Sequence, residues 1–247
     1  MSSSPYYSPS FIILIFPFAI AYSFLSHLWI RLSGKGDISP LPTPDSSLAK
    51  KVAIVTGANT GIGYQTALRL AVEYNMTVVL ACRSRDKGEQ AARQIQKEGG
   101  KKAIFLVPLD VSSSKSIKHF SDAVKTNYYR IDVLVNNAGR ASQGDPVEGT
   151  RDLIFQTNFL GHFELTSHLM STFGPNARVI NLASVLHHFT EGDVNKISFW
   201  KSCIEYSYTE AKNRYIVSKL AAILFTMELN RRYPNRIQSV AVNPGAV

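Results

Sequence analysis

The chain has 247 residues, 45% of them hydrophobic, which suits one full-sized core plus an appendage. Its two cysteines, Cys82 and Cys203, lie far apart, which excludes a disulfide framework and a cysteine-spaced metal site and fits a reducing compartment. The formal net charge of +9 is dispersed among acidic residues, without a nucleic-acid-binding signature or basic residues clustered with aromatics; it reads as a solvated basic surface, suited to anionic lipid or a phosphate-bearing cofactor and not to nucleic acid.

Phe11 to Ile30 is a run of 20 residues without Asp, Glu, Lys or Arg. As a helix it would rise about 30 Å, the thickness of a hydrocarbon core. Arg31 and Lys35 follow and no basic residue precedes, so the positive-inside rule predicts a single-pass anchor over residues 1–32 with the rest of the chain in the cytosol. A hairpin-like monotopic anchor and a cleaved signal peptide are the other readings; a signal peptide would carry a basic start and a shorter apolar run. Residues 33–50, with Pro40, Pro42 and Pro44 alternating, read as a semi-extended linker.

Residues 51–247 alternate strand and helix patterns. Strands are predicted over Val52–Thr56, Thr77–Ala81, Ala103–Leu109, Ile131–Val135, Arg178–Ala183 and Ile237–Val242, and helices over Tyr64–Tyr74, Arg85–Glu98, Ser112–Tyr128, Arg151–Phe173 and Tyr208–Arg232. Apolar strands separated by helices imply a Rossmann-type doubly wound α/β fold, a parallel sheet with helices on both faces. The chain stops one loop after the sixth strand, at Asn243-Pro-Gly-Ala-Val247, so that sheet is expected to be C-terminally incomplete.

Gly57, Gly61 and Gly63 follow the first strand and open a helix. Glycines there let backbone amides approach a pyrophosphate, and the helix N-terminus favours its charge. The spacing is G-x-x-x-G-x-G, and a ligand-free glycine turn is the bland alternative. After the second strand, Arg83 and Arg85 appear where a cofactor lacking a 2′-phosphate would want an acid, which favours NADP over NAD unless both are ordinary surface arginines. Asn136-Asn137-Ala138-Gly139, after the fourth strand, offers small residues for a nucleotide to lie against, and Asp110-Val111 is placed to meet an adenine.

Thr56-Gly-Ala-Asn-Thr-Gly-Ile-Gly63, Asn136-Asn-Ala-Gly139 and Tyr215-Ile-Val-Ser-Lys219, in this order, resemble the short-chain dehydrogenase/reductase superfamily over residues 51–247. Ala81-Cys-Arg83, Thr157-Asn-Phe-Leu-Gly-His-Phe163 and Ser218–Phe225 look closer to its retinol dehydrogenase-like branch, where an anchor before the domain is also familiar and the endoplasmic reticulum or a lipid droplet is the expected membrane. The resemblance implies an NADP(H)-dependent oxidoreductase that interconverts a lipophilic alcohol and its ketone or aldehyde. It implies a cofactor site from Gly57, Asn59, Thr60, Gly61, Ile62, Gly63, Arg83, Arg85, Asp110, Val111, Asn137, Ala138, Gly139, Tyr215, Lys219, Pro244 and Gly245, and a catalytic tetrad of Asn158, Ser184, Tyr215 and Lys219. Tyr215 and Lys219 share a helix face at i and i+4. A phenol near pKa 10 is a poor base at neutral pH, and an ammonium about 4 Å away at an effective dielectric near 20 is worth about 4 kcal/mol toward ionising it. Tyr215 would then be general acid and base, Ser184 would hydrogen-bond the substrate oxygen, and Asn158 would hold a water on the proton path to Lys219.

Two features depart from that pattern. Ser184 and Tyr215 are 31 residues apart, which implies an insertion around Glu191–Glu205, and the segment that shapes the substrate pocket after the sixth strand does not follow. A non-catalytic NADP-binding fragment acting as a binding or regulatory protein is therefore the alternative. His187-His188 lacks further ligands in sequence and reads as a polar loop instead of a metal site. Tyr208-Thr-Glu-Ala-Lys212 also spells Tyr-x-x-x-Lys; Glu210 beside it works against a lowered phenol pKa, so Tyr215 is preferred.

Overall fold

The computed structural model describes residues 46–141, 152–190, 194–196, 198–200 and 211–245. The apolar run Phe11–Ile30, residues 31–45, Cys203 and Tyr208 lie outside them. Among the described residues no helix is long and apolar enough to cross a membrane.

The continuous apolar runs become strands of one parallel sheet: β1 (Val52–Thr56), β2 (Thr77–Ala81), β3 (Ala103–Ile104), β4 (Ile131–Asn136), β5 (Phe173–Leu182) and β6 (Ile237–Val242), in the order β3-β2-β1-β4-β5-β6. This is the doubly wound Rossmann-type arrangement, whose order reverses between β1 and β4 and opens a crevice at their carboxyl ends. Runs without polar alternation are what a sheet covered on both faces requires. Ile54 and Leu134, partners across β1 and β4, face one helix layer with Ile117, Phe120 and Leu165. Their strand neighbours Val55 and Val135 face the other, with Ala67, Ala71 and Ile95. Each fully buried large side chain such as Ile54 or Phe120 contributes about 1.5–3 kcal/mol by leaving water.

The helices are α1 (Gly61–Val72), α2 (Arg85–Lys97), α3 (Ser114–Asn127), α4 and α5 (Ala211–Arg232). Their starts follow local chemistry. Ser84 caps α2 by accepting from Lys87 N, and Ser113 caps α3 by accepting from Ser116 N. Asp110 Oδ1 holds the amide and hydroxyl of Ser112 in a turn, which delays α3 by two residues relative to the sequence expectation. α4 runs Leu153–Phe155, widens into a π-helical turn over Gln156–Leu160 and continues as Gly161–His168. The extra residue shows in the bond from Gly161 N to Gln156 O. A Cβ on Gly161 would run into the Val111 carbonyl, so this glycine lets α4 press against the loop after β3.

Two elements are shorter than the sequence pattern predicts. β3 pairs only through Ala103 and Ile104; Pro108 has no amide to donate to a ladder, and just beyond it Leu109 N reaches Cys82 O at 3.0 Å. The long fourth helix ends at His168, and Phe173 already pairs with Ile131 as the first residue of β5. β6 lies at the sheet edge, with Val240 and Val242 exposed.

Candidate active site

The crevice at the switch point is built by the loops that follow β1, β2, β3 and β4. After β1 the chain turns at Gly57 (φ +65°) and Gly61 (φ +56°), left-handed conformations that favour glycine. A Cβ on Gly57 would stand 3.1 Å from Ala138 Cα, so the glycine also admits the loop after β4. That loop is stapled down by Thr56: its Oγ1 accepts from the amides of Asn137 and Ala138, each at 2.9 Å, while Asn137 Nδ2 donates to Thr56 O at 2.7 Å. Thr60 stands at the N-cap of α1 without a side-chain cap, which leaves first-turn amides of the helix for a ligand.

Between the loops lies a cleft of about 580 Å³. Gly57, Asn59, Thr60, Ile62 and Gly63 line it together with Asn137, Ala138 and Gly139 and with Arg83, Asp110 and Val111. The uncapped helix end, the glycine cradle and the Arg83 guanidinium fit a phosphorylated dinucleotide. Arg85 does not line the cleft: it opens α2, sits 3.3 Å from Glu89 and lies over the Phe105 ring at 5.7 Å. Cys82 lines the cleft, but burial pushes its thiol up to about 11, so it is no thiolate at neutral pH.

Beyond the cleft, α5 brings Tyr215, Ser218 and Lys219 against the π turn of α4 and the short helix Val185–Phe189 that follows Ser184. Lys219 is 6% exposed; its ammonium donates to Leu182 O at 2.7 Å and lies 5.4 Å from the centre of the Tyr215 ring. Burial lowers its pKa to about 8. Ser184, two residues beyond Leu182, uses its Oγ to accept from Leu186 N at 3.3 Å, a bond that leaves the hydroxyl hydrogen to be donated to a substrate oxygen. The imidazole Nδ1 of His187 meets the Ser184 carbonyl, and its ring stacks on His188 at 3.9 Å.

Asn158 is 5% exposed and its carboxamide is fully engaged. Oδ1 accepts from Arg140 N at 2.8 Å, and Nδ2 donates to Arg140 O at 3.0 Å and to Ser218 Oγ at 3.1 Å. The side chain thus clamps the loop after β4 to α5, and a water on the proton path would fall to the main-chain carbonyl, which His162 Nδ1 also approaches at 3.4 Å. Pro244 and Gly245 (φ +83°) follow β6 at the carboxyl end of the sheet, where Gly245 N donates to Asn243 Oδ1 at 3.2 Å.

Three residues without an assigned role in the sequence reading belong to this site. Thr56 joins the two nucleotide-side loops, Ser218 donates to Tyr215 O at 2.6 Å, and His162 sits buried between Thr56 and Asn158. A motif scan could have singled out all three, since Thr56, Ser218 and His162 each fall inside a quoted motif.

Residues 51–247 match the family model described as short chain dehydrogenase. The chain belongs to the short-chain dehydrogenase family. Its likeness to the retinol dehydrogenase-like branch holds as well: it is 40% identical over 211 residues to retinol dehydrogenase 11 of Mus musculus, covering 83% of this chain and 64% of that protein. It is 39% identical over 208 residues to retinol dehydrogenase 13 of Homo sapiens, covering 81% and 60%. The chain therefore spans less than two thirds of the length of either relative. A crystal structure of an uncharacterised protein from Mycobacterium paratuberculosis superposes with a TM-score of 0.66 at 30% identity, covering 84% of this short-chain dehydrogenase and 71% of that chain.

Proposed function

We propose that the protein is a membrane-anchored, NADP(H)-dependent oxidoreductase that interconverts a lipophilic alcohol and its ketone or aldehyde. The observation that carries this reading is the buried Lys219 beside Tyr215, next to a cleft fitted to a dinucleotide. Bound NADP(H) would supply or accept a hydride at the substrate carbon. In reduction Tyr215 gives its proton to the substrate oxygen while the Ser184 hydroxyl donates a hydrogen bond to the charge that builds there. In oxidation both roles run in reverse. Lys219, with a pKa near 8, can exchange a proton close to neutral pH and so restore the phenol. The names of the retinol dehydrogenase relatives support a lipophilic alcohol.

The test is a panel of carbonyl substrates with the purified full chain, following NADPH absorbance. Cofactor binding without turnover of any carbonyl would favour the alternative, a non-catalytic nucleotide-binding protein. Arg83 in the lining of the cleft supports a 2′-phosphate, so NADPH should bind at least about 10-fold more tightly than NADH, the worth of one charge-assisted contact. Arg83→Ala should remove most of that difference and Arg85→Ala little; equal dissociation constants for the two cofactors in the unaltered protein would refute the preference.

Membrane attachment rests on Phe11–Ile30 alone. The full chain is expected in the pellet after carbonate extraction, and removal of residues 1–33 should release it. Full-length protein found wholly in the soluble fraction would end this part of the reading.

A further inference from the structure

We infer that His162 is a positioning residue that couples the nucleotide-side loops to the proton path, with Nε2 accepting from the Thr56 hydroxyl and Nδ1–H donating to the Asn158 carbonyl. The inference rests on the catalytic reading of Asn158, Tyr215 and Lys219 given above.

The direction of each bond follows from counting donors. Thr56 Oγ1 already accepts from Asn137 N and Ala138 N at 2.9 Å each, which occupies both lone pairs. Its own proton must go outward. Two acceptors are in reach, Val135 O at 3.3 Å and His162 Nε2 at 2.9 Å, and the imidazole is the nearer. An Nε2 that accepts carries no hydrogen, so the neutral ring holds its proton on Nδ1, which faces Asn158 O at 3.4 Å. The opposite tautomer would aim a third donor at the Thr56 oxygen and set the Nδ1 lone pair against a carbonyl. The ring is 3% exposed, and burial lowers its pKa to about 4, with the charge of Lys219 adding to the effect, so it stays neutral in the working range.

Donors and acceptors then run in one direction across the site. The amides of Asn137 and Ala138 donate to Thr56, Thr56 to His162, and His162 to the carbonyl of Asn158. The side-chain amide of Asn158, a group separate from that carbonyl, donates to Ser218, and Ser218 to the carbonyl of Tyr215, which ties the same residue to α5. The aligned bonds from the loop amides through Thr56 and the imidazole to the Asn158 carbonyl polarise one another. Asn158 lies in the π turn, and His162 gives its carbonyl a fixed neighbour. A nucleotide that settles on Asn137 and Ala138 therefore also settles the carbonyl that would hold the relay water.

The two ring nitrogens can be tested separately, because a glutamine amide approximates Nε2 and an asparagine amide approximates Nδ1. His162→Gln keeps the Thr56 contact: NADPH dissociation constants from fluorescence titration should stay within about twofold, while kcat falls about 10-fold, the upper range for one lost hydrogen bond. His162→Asn keeps the Asn158 contact: kcat should stay within about threefold, while NADPH binding weakens about fivefold. Nitrogen-15 spectra of the full-length wild-type protein, assigned by difference from His162→Gln, should show a neutral His162 with Nδ1 protonated and Nε2 bare. A wild-type His162 protonated on Nε2, or folded variants that lose kcat and NADPH affinity equally or lose neither, overturns the inference. If the wild type binds NADPH but reduces no carbonyl, the catalytic reading fails instead, and the tautomer and titration results still decide the role of His162.

Discussion

Tyr215→Phe is expected to lower kcat by at least about 100-fold, the loss associated with removing a general acid, while NADPH affinity changes by less than about twofold. The phenol acts on the substrate oxygen, and the cleft walls that hold the nucleotide are formed by other residues. Tyr215 stands one helical turn from a buried lysine, on a stretch of α5 whose neighbours Ile216, Val217 and Ser218 are themselves buried. Tyr208, seven residues earlier in the look-alike motif, lies outside the described residues, and Tyr208→Phe should leave kcat nearly intact. Steady-state kinetics of the two variants side by side decide the matter: a larger loss for Tyr208→Phe would move the active site upstream.

Lys219→Met should abolish turnover to a similar degree yet leave the fold at least as stable. The ammonium is held out of water with one carbonyl partner, and the gap between its pKa of about 8 and the ordinary 10.5 corresponds to about 3 kcal/mol at most. The sign is fixed by proton counting. Between pH 8 and 10.5 the unfolded chain holds the proton and the folded chain does not, so wild-type stability rises with pH across that window. Below pH 8 the folded state carries the whole desolvation cost, which methionine avoids, set against about 1 kcal/mol for the hydrogen bond to Leu182 O. Urea melts at pH 7 and pH 10 measure both quantities. A Lys219→Met protein markedly less stable at pH 7, or one that keeps the alkaline rise, would show that the lysine stabilises the fold instead of straining it.

The strands were legible because doubly covered strands must be apolar along their whole length, and Val52–Thr56, Thr77–Ala81 and Ile237–Val242 fall where expected. The same reasoning overextended β3, since Leu106, Val107 and Leu109 are apolar for packing and not for pairing. In α4 the apolar pattern runs on past His168, and nothing local announces a π turn or the hand-over to β5 at Phe173. Within the site, glycines were readable because left-handed turns and close backbone approach demand them. Arg83 and Arg85 looked equivalent in sequence, and only the start of α2 at Arg85 separates the one that faces the cleft from the one that pairs with Glu89. The role of His162 was hidden, although the residue lies in a quoted motif, because its partner Thr56 is 106 residues away.

The strand order also sets a timetable for making the protein. Val55 pairs with Leu80 on one side and with Val135 on the other, 80 residues further along the chain. At about 5–20 residues per second of synthesis, roughly 4–16 s pass between the appearance of β1 and that of its second neighbour. During that interval β1 and β2 can associate with α1 and α2, but one side of β1, one of the two central strands, remains an unpaired apolar edge. The nascent chain is thus most open to wrong partners before the Asn137–Gly139 loop exists, and the pairing of β4 with β1 brings that loop onto the cleft in the same event.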